Sequence, residues 1–485
     1  MTARRGFVLA VFVWGFAGCS AAPVPQGAPR ADDLKQGEPV VSTTASTAVA
    51  EAAEESEEPQ EIEPDLLDRP PLPAEGSRGR SGRAALTAEP SIESSFPSAD
   101  EAPLGEEVAA AEEFPEIEPD DSLLKVYVFS IGQANSTLFV GPPPGRRSML
   151  VDLGEPIRGC QPNYKSVAAS VEEILGHKHL NYFVITHYHT DHMGSVASCP
   201  TEDERAGGVF GLIDEAGFTI DKIVDRGDLA QSLTGGRSRS HLELLRRIDR
   251  WKTEGKVDER VMPEFGAAEI DLGSPARVEI LAVSGYVHGA DRGAMRTVLE
   301  QDPAIYRRSP ASENDFSVAM EVSAGEFEYF IAGDLTGASG EPPYESFSER
   351  FFSNGGSTTY TNVESHLVSH WRGISRESDV EVYQANHHGS GHSSTVDLAN
   401  ALDPEIVIYS CGGDYDHPNR SIVERFEGRP QLVTSDVAEE TWPGNTFDAF
   451  GEIAGEIEIL VAEDGSYYSV NGVYHPAFAD SEENN

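Results

Sequence analysis

The chain has little cysteine, little positive charge and one short apolar run at its start. Four cysteines in 485 residues, Cys19, Cys160, Cys199 and Cys411, are too few to hold a fold together, and none forms a Cys-x-x-Cys metal knuckle. Cys160 and Cys199 either pair in an oxidising compartment or stay as two buried thiols. Lysine and arginine number 36 against 82 aspartates and glutamates, a formal net charge of −46. So acidic a chain has no electrostatic hold on a phosphate backbone, and strong nucleic-acid binding is not expected. The apolar run Phe7–Phe16 is shorter than the about 20 residues a membrane span needs.

That run has the layout of an export signal over residues 1–19. Arg4 and Arg5 give the positive start and Ala17-Gly18-Cys19 the small-residue exit. Phe16-Ala17-Gly18-Cys19 resembles a bacterial lipobox, which implies lipidation of Cys19 and a protein anchored by lipid in the cell envelope, periplasmic or at the cell surface. Phe16 stands where a lipobox usually has leucine, so plain cleavage near Ala21 or Ala22 stays open. Arg4-Arg5-Gly6-Phe7-Val8 also resembles a twin-arginine signal. Residues 20–121 are rich in Ala, Pro, Glu and Ser, and such a segment buries too little apolar area to offset the entropy of ordering it. They read as a disordered tether before a domain over 122–478 and a loose acidic tail over 479–485.

Within the domain, strand patterns at Leu124–Ile131, Thr137–Val140 and Ser148–Leu153 precede a helical pattern at Val167–Leu175 and a buried strand at Tyr182–Ile185. Further strands are expected at Phe218–Asp225, Val278–Val283, Val318–Val322, Phe327–Ile331, Val380–Gln384, Ile406–Ser410, Ile453–Val461 and Tyr467–Val470. Helices are expected at His241–Trp251, Thr395–Leu402 and Ser421–Phe426. Arg246, Arg247 and Arg250 on the first of these read as a solvated face. The alternation is that of an α/β layer fold. Glu341–Gly373 reads as an insertion whose His366 and His370 lie at the surface or lip, and His288 reads as a lone histidine outside any site.

The strand at Tyr182–Ile185 empties into His187, His189, Asp191 and His192. Three imidazoles and a carboxylate in six residues suit zinc, which takes nitrogen and oxygen donors at about 2.0–2.2 Å. His187-x-His189-x-Asp191-His192 resembles the signature of the metallo-β-lactamase superfamily. The resemblance implies an αββα sandwich with a one- or two-metal site at the sheet edge. Ser130-Ile131-Gly132-Gln133-Ala134-Asn135-Ser136 and His387-His388-Gly389-Ser390 are similar to ComEC-type domains of that superfamily, with Ala134-Asn135 in place of the usual Gly-Asp.

On that resemblance Asp152 buttresses a metal-bound imidazole, Asp334 bridges two metals, and one of His387 and His388 is a ligand. The sequence does not say which; we take His388 as the ligand and His387 as facing the substrate. Ser390 and the Gly389 amide would meet a phosphoryl oxygen at the start of the Thr395–Leu402 helix. His417, in Asp416-His417-Pro418, is the candidate general acid or an extra ligand. Many relatives carry another histidine ligand before the Asp334 hairpin. Here stand Asn314, Asp315 and Ser317, which predicts one ligand-poor, water-rich metal position.

The implied chemistry is hydrolysis by a metal-bound hydroxide at two zinc ions or at manganese, with Asp191 counted among both the ligands and the catalytic residues. Phosphodiesters, small or polymeric, are the implied substrates. A β-lactamase or other ester hydrolase, and a non-catalytic metal-containing envelope protein, are the competing readings.

Overall fold

Val126 and Val128 of the first strand, β1 (Leu124–Val128), are fully buried, and Tyr127 between them faces the opposite side. Successive side chains of a strand alternate across its sheet, so β1 presents two apolar faces and must be covered twice. The computed structural model shows how. It describes residues 114–155, 163–196, 207–227, 239–265, 270–291, 293, 312–337, 348–353, 356–371, 380–413 and 415–477. The stretch read as an export signal with Cys19, most of the one read as a tether, Cys160, Cys199 and the tail 479–485 lie outside the described residues.

One sheet contains, in spatial order, β19 (Val473–Pro476), β18 (Tyr467–Val470), β17 (Ile457–Val461), β1, β2 (Thr137–Val140), β3 (Ser148–Val151), β4 (His179–Ile185), β5 (Thr219–Asp225) and β6 (Val257–Val261). The other runs β16 (Glu452–Ile453), β15 (Gln431–Val433), β14 (Ile406–Tyr409), β13 (Val382–Gln384), β10 (Phe327–Ile331), β9 (Ala319–Ala324), β7 (Arg277–Val283) and β8 (Tyr286–Val287). A separate hairpin pairs β11 (Ser348–Ser353) with β12 (Gly356–Thr361).

Three apolar clusters set four layers. Val126, Val128, Met149 and Val184 of the first sheet share one cluster with Met320, Val322, Tyr329 and Ile408 of the second, so the sheets pack face to face. Leu150, Phe183 and Ile223 turn outward from the first sheet. They meet α1 (Tyr164–Leu175), α3 (Gly208–Asp214) and α4 (Arg239–Glu254) through Val167, Phe210 and Trp251. On the far side Phe330, Tyr383 and Val407 meet α5 (Val363–Trp371), α6 (Val396–Leu402) and α7 (Arg420–Arg425). A short helical turn, α2 (Thr190–Met193), lies between β4 and α3. Each fully buried side chain of this size contributes about 1.5–3 kcal/mol. The architecture is the αββα sandwich.

Most expected elements stand within a few residues of their places. The structure adds β6, β8, β11, β12, β15, β16 and β19. β6 carries Asp258 and Glu259 exposed, and the others are short or fall in the stretch read as an insertion. In the basic run of α4, Arg246 is exposed as expected, while Arg247 binds Glu243 of α4 and Asp214 at the end of α3, and Arg250 binds Asp214, which also accepts from Trp251 Nε1 at 2.7 Å. His366 is buried, so it is not a surface residue as expected. Residues before Ser122 also make contacts: Ile117 is buried beside Leu460 and Ala462, and its N–H donates to Tyr474 Oη.

The parallel part of each sheet positions the site. β3 to β6 run parallel, as do β10, β13, β14, β15 and β16. Loops leaving the carboxyl ends of β3, β4, β10, β13 and β14 carry Asp152, His187, Asp334, His387 and Ser410. Such ends are where ligands bind in open α/β sheets.

Candidate metal centre

The loop after β4 is arranged by its own neighbours. His187 follows the strand, His189 precedes α2, and Asp191 and His192 lie within that turn, which ends at Gly194. Asp152, at the end of β3 with φ 58°, accepts from the Thr186 N–H and hydroxyl, each at 2.8 Å. It also accepts from His192 Nδ1 at 2.8 Å. In the neutral ring this fixes the His192 proton on Nδ1 and leaves the inward-facing Nε2 as the ligand atom, as a metal would require. Asn135 donates its N–H to the Asp191 carbonyl at 3.0 Å, so a backbone contact holds the motif there. Two glycines allow the close approach. A Cβ at Gly154 would stand 1.8 Å from the Asp191 carbonyl oxygen, and one at Gly333 would stand 2.4 Å from Thr186 Oγ1.

The second sheet supplies the remaining donors. Asp334 follows β10, and His387 and His388 follow β13 in a turn with φ 51° and 56°, continued by Gly389 at φ 80°. Left-handed backbone is costly for residues with a Cβ, so two successive histidines there need outside support. The support is visible. The His387 N–H donates to Gly333 O at 2.9 Å, and Asn419 N–H to Gly389 O at 2.8 Å. Buried Glu364 of α5 accepts from Asn386 Nδ2, Ser394 N–H and Thr395 N–H, each at 2.7 Å. His388 Nδ1 donates to the Ser410 carbonyl at 2.7 Å, leaving its Nε2 lone pair to face the site.

These side chains converge on Asp334. Its Oδ1 lies 2.8 Å from His192 Nε2 and 3.6 Å from His388 Nε2. Its Oδ2 lies 3.7 Å from His187 Nε2 and 3.6 Å from His387 Nε2. His388 Nε2 is also 3.4 Å from Asp191 Oδ2, and His187 Nε2 is 3.0 Å from His189 Nδ1. Ligand atoms of Asp191, His192, Asp334 and His388 lie within 4.8 Å of one another, as do those of His187, His189 and Asp334. The two groups share Asp334. All are buried except His189, which is exposed, and His387, which is half-buried.

The residues fit a pair of divalent cations. Asp334 Oδ1, His192 Nε2 and His388 Nε2 are buried and face one another, the two nitrogens 2.8 and 3.6 Å from the oxygen. Burial alone would raise Asp334, but His192, His387 and His388 hold its carboxyl well below the usual range. Burial likewise opposes ionisation of Asp191, yet His388 beside it and the His192 charge bring it down to about 2. Against its own burial, His192 is held well above the usual imidazole range by Asp334 and Asp152. With protein groups alone, an imidazolium therefore compensates the buried carboxylates. The donors are nitrogen and oxygen without sulfur, the set that suits zinc, iron or manganese.

The structure brings together His187, His189, Asp191, His192, Asp334 and His388, with Asp152 behind His192. His417 lies beside them, its ring 5.9 Å from that of His388 and 5.8 Å from that of His387. Ser390 takes another place than expected. Its N–H donates to the His387 carbonyl at 2.8 Å and its hydroxyl accepts from the His392 N–H at 3.4 Å, so both complete the turn. The start of α6 does not offer an anion site either, because the Glu364 carboxylate already takes the Ser394 and Thr395 amides.

Sequence reasoning missed Glu364, Thr186, Gln133 and Glu313. Glu313 accepts from the Tyr188 N–H at 3.2 Å while paired with buried Arg226 at 2.6 and 2.8 Å, pinning the backbone between His187 and His189. Only Gln133 stood within a stretch that the resemblance marked. His288 lies elsewhere, 3.2 Å from Glu279.

No family model and no curated protein matches the chain. Among solved structures it is similar to unliganded yeast PDE1, with 12% identity and a TM-score of 0.33 over 70% of this chain and 99% of that one. It is similar to a diphosphatase from the PhnP family, with 12% identity and a TM-score of 0.31 over 65% of this chain and 96% of that one. It is similar also to CmlA, a diiron β-hydroxylase from Streptomyces venezuelae, with 16% identity and a TM-score of 0.29 over 61% of this chain and 45% of that one.

Proposed function

We propose that the protein is a metal-dependent hydrolase of small phosphodiesters, a member of the metallo-β-lactamase superfamily acting outside the cytoplasm and anchored through Cys19. The observation that carries the metal chemistry is the division of Asp334, one oxygen toward His192 and His388 and the other toward His187 and His387. When bound, a pair of divalent cations supplies Lewis acidity and lowers the pKa of a bound water toward neutrality. His187, His189 and Asp334 would hold one ion, and Asp191, His192, His388 and Asp334 the other. The phosphodiester preference is supported by the likeness of His387-His388-Gly389-Ser390 to ComEC-type motifs. The acidic composition favours a small substrate over a polyanionic strand.

His417 acts as a positioned donor. The Gly412 N–H donates to Gln133 Oε1 at 3.2 Å, which turns the Gln133 amide nitrogen toward His417 Nδ1 at 2.8 Å. His417 Nδ1 therefore accepts, and a neutral ring carries its proton on Nε2. Burial, then the nearby His387 and His388, push its pKa to about 2, so the ring is neutral at physiological pH. Nε2–H then donates a hydrogen bond to a substrate or leaving-group oxygen without transferring its proton, a role that replaces the expected general acid. Exposed His189 and half-buried His387 leave the site open on their side, and substrate enters there.

The test is metal content by mass spectrometry of the full chain purified without chelator, with turnover of bis(p-nitrophenyl) phosphate and of nitrocefin, beside His189→Ala. About two ions per chain and phosphodiester turnover that falls at least about 100-fold in the variant are expected. Because His189 is exposed, the variant keeps its fold. Nitrocefin turnover without phosphodiester turnover would replace this reading by that of a β-lactamase, and absence of metal would end it.

A further inference from the structure

We propose that His387 is the ligand that completes the cation position at His187, His189 and Asp334, and that this position holds its ion more weakly than its neighbour. The inference rests on the functional reading above, in that the site takes two cations. Asn314 stands where many relatives place an imidazole, and its Nδ2 lies 3.2 Å from His387 Nε2. An amide N–H donating to that nitrogen shows Nε2 to be the acceptor on the site side, and a cation taking the same lone pair would displace the amide. The same nitrogen is 3.6 Å from Asp334 Oδ2, the oxygen that also faces His187. The left-handed turn explains how adjacent residues serve both positions: it sends His387 to Oδ2 and His388 to Oδ1 of one carboxylate.

The two positions differ in what stands behind their imidazoles. His192 Nδ1 is held by Asp152 and His388 Nδ1 by the Ser410 carbonyl, at 2.8 and 2.7 Å. Such partners orient a ligand and raise its basicity, and losing one weakens metal binding about 10–100-fold. On the other side His387 Nδ1 is buried without a hydrogen-bond partner. His187 Nδ1 meets only the Thr186 hydroxyl at 3.3 Å, and His189 is exposed. One ion is therefore held tightly by buttressed ligands, and the other exchanges at the open side.

The full chain, freed of metal with a chelator, is titrated with Zn²⁺ by calorimetry and with Co²⁺ by visible absorption. The parent is expected to bind two ions with affinities at least about tenfold apart. His387→Gly is expected to keep the tighter ion and lose the weaker; glycine accepts φ 51° without strain, so the loss reports the imidazole. Asn314→His in the parent is expected to tighten the weaker ion at least about tenfold. Two ions retained at parental affinity by His387→Gly, or loss of the tighter one, overturns the assignment while leaving the functional reading intact. Equal affinities in the parent overturn the asymmetry. A parent that takes up neither ion fails the functional reading itself.

Discussion

The loop that carries His187 to His192 and the turn that carries His387 and His388 deliver ligands to one carboxylate, yet they are held by different means. The first has ordinary backbone: a helical turn of four residues, with Asp152 and Thr186, just past the ends of adjacent strands, fixing the imidazole of His192. The second has left-handed backbone that two histidines would not choose, and it is held by groups on α5 and at the start of α7. Glu364 grips Asn386 and the start of α6, and Asn419 caps the Gly389 carbonyl. Where the backbone is ordinary, the contacts orient and anchor the ligands; where it is left-handed, they must also offset strain.

That contrast predicts where damage spreads. Glu364→Ala is expected to have the largest effect, because three buried donors lose their acceptor at about 1–3 kcal/mol each. Stability in denaturant should fall by about 3–5 kcal/mol. The ion held by His388 should be lost with the turn, and a variant with full stability and metal content would break the comparison. Asp152→Asn should act more narrowly. The fold persists, and affinity for the tighter ion falls about 10–100-fold in the same Zn²⁺ titration; unchanged affinity would mean that His192 needs no buttress.

The most gradual effect, spread over about three pH units, concerns Asp315, on the turn between the two loops. Burial raises its carboxyl to about 7, although Thr336, Thr361 and Ser312 donate to it. The folded state then binds a proton between about pH 4 and 7 that the unfolded chain releases, so this group's contribution to stability falls as pH rises through that window. The slope is at most about 1.4 kcal/mol per pH unit. Asp315→Asn should flatten the decline, measured by denaturant unfolding at pH 5, 6 and 7; parallel slopes for the two proteins would show that Asp315 stays ionised.

Legibility followed the same division. His187, His189, Asp191 and His192 stand in six residues, so their chemistry shows without a fold. Strands such as Thr137–Val140 and Phe327–Ile331 show because their apolar side chains are contiguous and bounded by turns. The roles of His387 and His388 depend on two φ angles and on which oxygen of Asp334 each ring meets, and spacing carries neither. Glu364 was hidden for another reason. It lies in a stretch that read as an insertion, and a buried glutamate is recognised only when the donors around it are known. β6 escaped because an edge strand with exposed Asp258 and Glu259 has no apolar run to mark it.

The pairing of β1 with β17, Leu124 opposite Val461, has a consequence for synthesis. β1 emerges early from the ribosome and β17 to β19 nearly last, and until then the outer edge of β1 has no neighbour. An unpaired apolar edge is a template for pairing with other chains. Loop closure of that length also slows folding. The growing polypeptide thus carries an open seam through most of its translation, and a chain truncated before β17 is expected to aggregate even with every ligand residue in place.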